Sequence, residues 1–265
     1  MSATMTFADA KQRFSNRAAD YARYRPAYPQ EIIAALHSDC GLQPFHQVAD
    51  IGSGTGILSK LFLRNGNFVW GVEPNRDMSD AAGEFLAAYP NFVKVPGSAE
   101  ATTLADECVD FVVVGQAFHW FEPAKTRAEF QRILNPHGYA AIIWNERLLD
   151  TTPFLRNYEA LLRQYGIDYD KVSESYPRKA KIEEFFAPNA VRHLQFANFQ
   201  AFDFAGLAGR LRSSSYAPKE GHANYEPMMA ALREIFAAHQ ENGVVRMEYI
   251  TQVYVGQLGR TRDSA

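Results

Sequence analysis

The chain has 265 residues, 47% of them hydrophobic, with 27 Lys and Arg against 30 Asp and Glu and a net charge of −3; this accommodates one α/β domain with an elaboration or two small domains and lacks the basic face that nucleic-acid binding usually demands. Two cysteines, Cys40 and Cys108, cannot build a disulfide framework, and neither sits in a C-x-x-C pair. No apolar run approaches the roughly 18 residues of a membrane span and the N-terminus lacks a signal-peptide core, so a cytoplasmic protein with no nucleic-acid or membrane partner is expected.

Phe7 to Tyr28 carries a helical pattern that ends in an aromatic and basic cluster, Tyr21, Tyr24, Arg25 and Tyr28. The segment is too polar for core and too aromatic for a linker. It reads equally as a lid, with Arg25 available for a carboxylate and the tyrosines supplying contact area, or as an arm docked on the sheet. Pro29 suits the first turn of a helix over Gln30 to Cys40, whose Ile32, Ile33 and Leu36 form one apolar stripe.

Gln47 to Ile51 is a short apolar run suited to a strand buried on both faces of a parallel sheet. It leads into Gly52-Ser53-Gly54-Thr55-Gly56 and a helix over Ile57 to Asn65, closed by Gly66. The glycines permit positive φ and leave no Cβ between backbone and ligand, and the helix is expected to aim unpaired N–H groups at that ligand. Dinucleotide binding wants G-x-G-x-x-G; counted from Gly52, the third glycine position is Ile57, so that fingerprint fails. The spacing present, D-x-G-x-G-x-G from Asp50 to Gly56, resembles the first motif of class I S-adenosylmethionine-dependent methyltransferases. The resemblance implies that Gly52, Ser53, Gly54 and Gly56 pack against the methionine part of the cofactor while Asp50 orients the loop and the amino group. A tight turn without a ligand is the alternative. Y-x-R-Y-R-P-x-Y-P, from Tyr21 to Pro29, resembles the opening of the type 11-like small-molecule branch that includes relatives of trans-aconitate methyltransferase, and implies an arm bordering the active site.

Asn67 to Val72 is the second expected strand, ending in Glu73 about 20 residues past the loop, where a carboxylate can accept both ribose hydroxyl protons. Pro74 adjoins it in the implied cofactor site. Asn75 caps a helix through Ala88, with Met78 on the side the family uses against the adenine. Phe92 to Val95 is a third strand, and Gly-Ser-Ala-Glu at 97–100 resembles the adenine-recognition loop, with Ala99 beside Ser98, where many members carry Asp. Val109 to Val114 is the fourth strand, followed by Gly115-Gln116-Ala117-Phe118-His119-Trp120-Phe121. Ligands in open α/β sheets sit beyond the carboxyl ends of the strands, so this segment should face the reacting methyl group. Q-A-F-H-W-F resembles the same branch and adds Gln116 to the implied cofactor residues. His119 reads either as a general base or, with Trp120, as a packed wall.

Pro123 to Leu134 is an amphipathic helix closed by Asn-Pro-His-Gly, and Tyr139 to Trp144 a fifth strand. After Glu146 come two helical patterns, Pro153 to Tyr165 and Arg178 to Phe186, then a strand over Leu194 to Phe202, a helix over Phe204 to Leu211, a helix over Pro227 to His239 and an alternating strand over Met247 to Val255. Ser213, Ser214 and Ser215 form either a polar turn or hydroxyls lining a pocket. The expected fold is a doubly wound, Rossmann-like α/β sheet of seven mostly parallel strands, the last antiparallel, with an inserted helical cap; the resemblance orders the strands 3-2-1-4-5-7-6. One domain over 1–265 is expected, divided into an arm (1–28), a cofactor-binding core (29–149), the cap (150–188) and the closing elements (189–258).

The expected function is methyl transfer from S-adenosyl-L-methionine (SAM) to a small molecule, at a carboxylate, hydroxyl or amine, leaving S-adenosyl-L-homocysteine (SAH) and using no metal. Tyr24, Tyr28, Phe118, His119, Trp120, Trp144 and Tyr216 are the candidates for the acceptor pocket. A binding module without turnover and an NAD(P)-dependent oxidoreductase on a similar fold are the alternatives.

Overall fold

The computed structural model describes residues 24–169 and 179–259; the helical pattern from Phe7 to Tyr21, and Arg178, lie outside the described residues. Short runs rich in Val, Ile and Phe pair in parallel as β1 (Gln47–Ile51), β2 (Phe68–Val72), β3 (Phe92–Val95), β4 (Val109–Gly115) and β5 (Leu134–Arg147). β6 (Arg192–Phe202) and β7 (Val245–Gly256) complete one sheet of order β3-β2-β1-β4-β5-β7-β6, with β7 antiparallel to both of its neighbours. Fold class and strand order are those expected from the sequence.

The period of two along each strand sorts side chains onto two faces. Val48 of β1, Phe111 and Val113 of β4, and Ile143 of β5 pack with Ile32 and Leu36 of α1 (Glu31–Cys40) and Leu58, Leu61 and Phe62 of α2 (Ile57–Asn65). Ala49 and Ile51, Val112 and Val114, and Ile142 pack on the other face, against Phe130 and Ile133 of α4 (Pro123–Ile133) and Ile182, Phe185 and Phe186 of α6 (Lys179–Phe186). Helix α3 (Arg76–Phe85) follows β2. Its start is set by Asn75, whose side chain accepts from the Asp77 and Met78 amides, the arrangement that satisfies otherwise orphaned donors.

A third cluster stands beyond the sheet. Phe154, Leu155, Tyr158 and Leu162 of α5 (Pro153–Tyr165), Leu207 and Leu211 of α7 (Phe204–Arg212), and Met228 and Leu232 of α8 (Tyr225–His239) pack on Val245, Met247 and Tyr249 at the start of β7. Here the structure corrects the expected cap over 150–188: α5 belongs to this cluster, whereas α6 packs on the core sheet, because its Ile182, Phe185 and Phe186 complete the face of α4. β5 also begins earlier than Tyr139. The Asn-Pro-His-Gly stretch is an irregularity within the strand, between the Val109–Leu134 and Phe111–Tyr139 pairs, fastened by a 2.8 Å hydrogen bond from Asn135 Nδ2 to Asp110 Oδ1.

Phe62 is fully buried and Phe45 is 79% exposed. Phe62→Ala is therefore expected to cost about 3–5 kcal/mol and Phe45→Ala within about 0.5 kcal/mol, as read from urea unfolding midpoints at constant slope.

Candidate active site

A cavity of about 380 Å³ opens at the carboxyl ends of β1, β2, β4 and β5 and runs under the third cluster. One end is built from the turns after β1 and β2. The amides of Gly52 and Ser53 both donate to Val72 O, the Gly54 amide donates to Glu73 Oε2 at 2.9 Å, and the Gly56 amide returns to Ser53 O. These four loop amides are thus taken up by the protein, which fastens the turn to β2, while Gly52, Ser53, Gly54, Thr55 and Ile57 line the cavity. Gly52 lines the cavity at φ +68°, and a Cβ there would lie 2.7 Å from Ala117 Cβ. Gly56 does not line it. A Cβ on Gly56 would meet Leu86 Cδ1 at 2.5 Å, so this glycine lets the chain after α3 approach the start of α2.

Asp50, Ser53, Gly54, Glu73, Pro74, Met78, Ala99 and Gln116 all line the same cavity. Ser98 does not: its backbone pairs with Ala101 in a tight bridge, and Ala99 takes the lining position. Gln116 sits at φ +60° and its Nε2 donates to Asn145 O at 3.0 Å, which turns the chain after β4 across the strand ends.

The walls are aromatic. Tyr28, His119, Trp120, Trp144 and Tyr216 line the cavity; the His119 ring lies 4.4 Å from Trp120 and 5.2 Å from Trp144 by centroid. Tyr28 Oη lies where a Cβ on Gly115 would reach to 2.6 Å. Two expected lining residues point elsewhere. Phe118 packs edge-on to Phe121 and Phe185 in the core, and the Tyr24 ring fills the space that a Cβ on Gly209 of α7 would occupy, 2.4 Å from its Cζ.

Under the third cluster the lining becomes basic. Arg25, Arg147, Arg163 and Arg210 reach the cavity with Glu159, Tyr169, Ser215 and Tyr249; of these only Arg25 and, as one of three serines in a turn or pocket lining, Ser215 were singled out from the sequence. Arg147 Nη2 donates to Glu159 and, at 2.9 Å, to Tyr169 Oη; Arg163 Nε lies 3.0 Å from the other oxygen of Glu159. Arg25 Nη2 donates to Ser213 O at 3.1 Å. Burial raises the Tyr216 phenol, but the guanidinium groups of Arg210, Arg147 and Arg25 outweigh it and lower the phenol overall.

Residues 49–142 match the sequence model of the family described as Methyltransferase domain. The chain carries a methyltransferase domain. An uncharacterized methyltransferase of Mycobacterium tuberculosis is 37% identical over 139 residues, 52% of this chain and 54% of that protein. One of Schizosaccharomyces pombe is 32% identical over 169 residues, 62% and 66% of the two. The chain thus spans about half the length of the first of these curated relatives and 66% of the second. In fold it is similar to a putative type II methyltransferase from Anaeromyxobacter dehalogenans, with a TM-score of 0.65, 19% identity and coverage of 89% and 98% of the two chains. It is also similar to a Haemonchus contortus phosphoethanolamine N-methyltransferase solved with phosphomonomethylethanolamine and SAH, with a TM-score of 0.55, 16% identity and coverage of 96% and 59%. Among the described residues, no group of three or more His, Cys, Asp and Glu is arranged to hold a metal ion, and no helix is long and apolar enough to cross a membrane.

Two titratable groups of the methyltransferase domain are strongly shifted. Burial raises Asp50 to about 7, against the 2.6 Å hydrogen bond from Ser59 Oγ and with help from nearby Glu73; its Oδ1 is buried without a hydrogen bond among the described residues. Burial lowers His119 to about 4. For His119 the unfolded chain takes up a proton first as pH falls, so its contribution to stability rises with pH between about 4 and 6.5. For Asp50 the folded chain keeps its proton longer, so its contribution is full below 3.8 and lost as pH rises to about 7. The two slopes oppose each other in the parent. Asp50→Asn should leave stability rising with pH between about 4.5 and 6.5 and His119→Gln should leave it falling, each by at most about 1.4 kcal/mol per pH unit. Urea unfolding of the three proteins across that range checks this; parallel curves would contradict it.

Proposed function

We propose that the methyltransferase domain binds SAM at the Gly52–Glu73–Met78 end of the cavity and transfers its methyl group to a small-molecule acceptor held under the third cluster. The observation that carries this reading is the joining of two chemically different ends in one cavity, a glycine turn with two buried carboxylates and a basic pocket under helices, with aromatic walls between them. The residues fit the cofactor. Asp50 has a buried oxygen without a hydrogen bond among the described residues, apt for an ammonium donor, and each oxygen of Glu73 accepts one backbone amide, from Gly54 and Asn75 at 2.9 Å, which leaves lone pairs for ribose hydroxyls. Met78 and Ala99 supply the apolar contact for a base. When bound, SAM supplies a methyl group on a positively charged sulfur that leaves readily.

With such a donor, the chain's own work is to align the acceptor and keep water out, a proximity effect that can lower a barrier by several kcal/mol. The segment around Tyr28 supports that role. Asn198 Nδ2 donates to Ala27 O at 2.8 Å and Asn145 Nδ2 contacts Pro26 O and Ala27 O at 3.4 and 3.3 Å, so this stretch serves as the roof over the strand ends and the whole chain works as one domain on this reading. The likeness to relatives of trans-aconitate methyltransferase rests on the same roof and on Gln116 to Phe121. His119, pressed between two tryptophans and held far below the usual imidazole range, serves as pocket wall rather than base. The oxidoreductase alternative loses support from the glycine spacing, which puts Ile57 where dinucleotide binding wants its third glycine.

Calorimetry should show SAM and SAH binding and no binding of NAD or NADP; the reverse preference would sink the proposal. In the same assay Glu73→Ala should weaken SAH by about 1–3 kcal/mol, and an unchanged affinity would remove Glu73 from the site. Once an acceptor is found by SAH release across small acids, phenols and amines, the wild-type rate should show no His119 titration between about pH 5.5 and 8.5, and His119→Gln should retain most of it.

A further inference from the structure

Among the described residues, Arg147 and Arg210 at the basic end of the cavity are not matched by carboxylates of their own. Arg25, Arg147, Arg163 and Arg210 line it, and the carboxylates that line it among the described residues are Glu146 and Glu159. Glu146 already accepts from Gln252 Nε2 at 2.8 Å, and Glu159 is shared between Arg147 and Arg163. Arg147, with a side chain 10% exposed, keeps a buried Nη1 that has no hydrogen bond among the described residues. Arg210 is 5% exposed. Its Nε and Nη1 meet Tyr249 Oη at 3.4 Å and Ser214 Oγ at 2.9 Å, while Nη2 has no partner and no carboxylate lies within ion-pair distance among the described residues. A guanidinium cannot shed its proton, and an enclosed charge is costly without a counter-charge. The hydroxyls of Tyr249 and Ser214 give it hydrogen-bond partners without supplying a carboxylate.

The charge is also well placed to act at a distance from the cofactor end. Arg147 pairs with Tyr249 across β5 and β7, four residues beyond Ile143, which pairs with Gly115 at the end of β4. At about 3.3 Å per residue this rung stands about 13 Å past the end of β4.

We infer that this end of the cavity is an oxyanion anchor, in which Arg210 and Arg147 grip a carboxylate or phosphate group on the methyl acceptor. The inference rests on the methyl-transfer reading for what the anchored molecule is, and on the side chains alone for its charge. An acceptor without an anionic group would leave Arg210 enclosed and uncompensated; an anionic one supplies the missing partner, and a guanidinium can meet two of its oxygens at once.

The test titrates the SAH-loaded protein with glutarate, with glycerol phosphate and with the neutral isostere glutaramide, in the parent, in Arg210→Met and in Arg147→Lys. At least one anion should bind, with glutaramide tenfold or more weaker; Arg210→Met should lose tenfold or more while SAH affinity is kept, and Arg147→Lys should also lose affinity for the anion. The tighter of the two anions names the group. Neither anion binding to the parent, glutaramide binding as well as the anions, or parent-like anion affinity in the variants would overturn the anchor. Should Arg210→Met fail to bind SAH and so prove misfolded, Arg147→Lys decides. Should the parent itself not bind SAH, the methyl-transfer reading falls, and the same titrations on the SAH-free protein still decide the anchor.

Discussion

The carboxylate of Glu73 accepts one backbone amide on each oxygen, from Gly54 and from Asn75, and so joins the turn after β1 to the turn after β2. Val72 O, one residue earlier, takes the amides of Gly52 and Ser53. The two turns therefore behave as one piece, shaped by the protein before any ligand arrives, and a ligand entering there meets little further ordering cost. Burial raises the Glu73 carboxyl while its two amide bonds pull it down. Asp50 nearby is raised by the same enclosure. Two acids kept dry at one end of a cavity make a place where a positive charge is welcome.

At the other end the sign reverses. Four arginines reach the lining there, and between the two ends stand His119, Trp120 and Trp144, which carry no charge near neutral pH because enclosure keeps His119 unprotonated. The cavity is thus polarised along its length, acid to base, with an uncharged waist. In a dry site such polarity is felt more strongly than in water, so it can orient a two-part assembly of donor and acceptor before any contact is fully made.

The long β6–β7 ribbon makes this arrangement possible. Its eleven paired positions, from Arg192–Val255 to Phe202–Val245, run past the ends of the shorter parallel strands, and its far end supplies the surface on which α5, α7 and α8 gather. Asn145 locks the ribbon to the rest of the site: its side-chain oxygen accepts from Thr251 and Asn198, its amide reaches Pro26 and Ala27, and its carbonyl holds Gln116. One side chain and its own backbone thereby connect β5, β6, β7, the roof and the turn after β4.

The strands, the helix starts and the turn after β1 were legible in the chain because they depend on local patterns: buried strands read as unbroken Val, Ile and Phe, helix starts as caps such as Asn75, and the turn as glycines at fixed spacing; the strand order came from the family resemblance those glycines carry. Even there, the part played by Gly56 was hidden, since the need for a missing Cβ came from Leu86, thirty residues away. The basic end of the cavity left no local mark. Arg210 reads in the sequence as an ordinary cation in the last turn of a helix, where the macrodipole favours one, and Arg147 as a polar residue past the expected fifth strand; whether a charged side chain meets water or a cavity depends on what packs over it, and here that is decided by helices spread from Pro153 to His239. What the sequence determined is the frame and the turn after β1, both built from neighbours in sequence; the basic end of the cavity, with Arg210 among Tyr249 and Ser214, was decided by tertiary packing, because burial is a property of distant surfaces brought together.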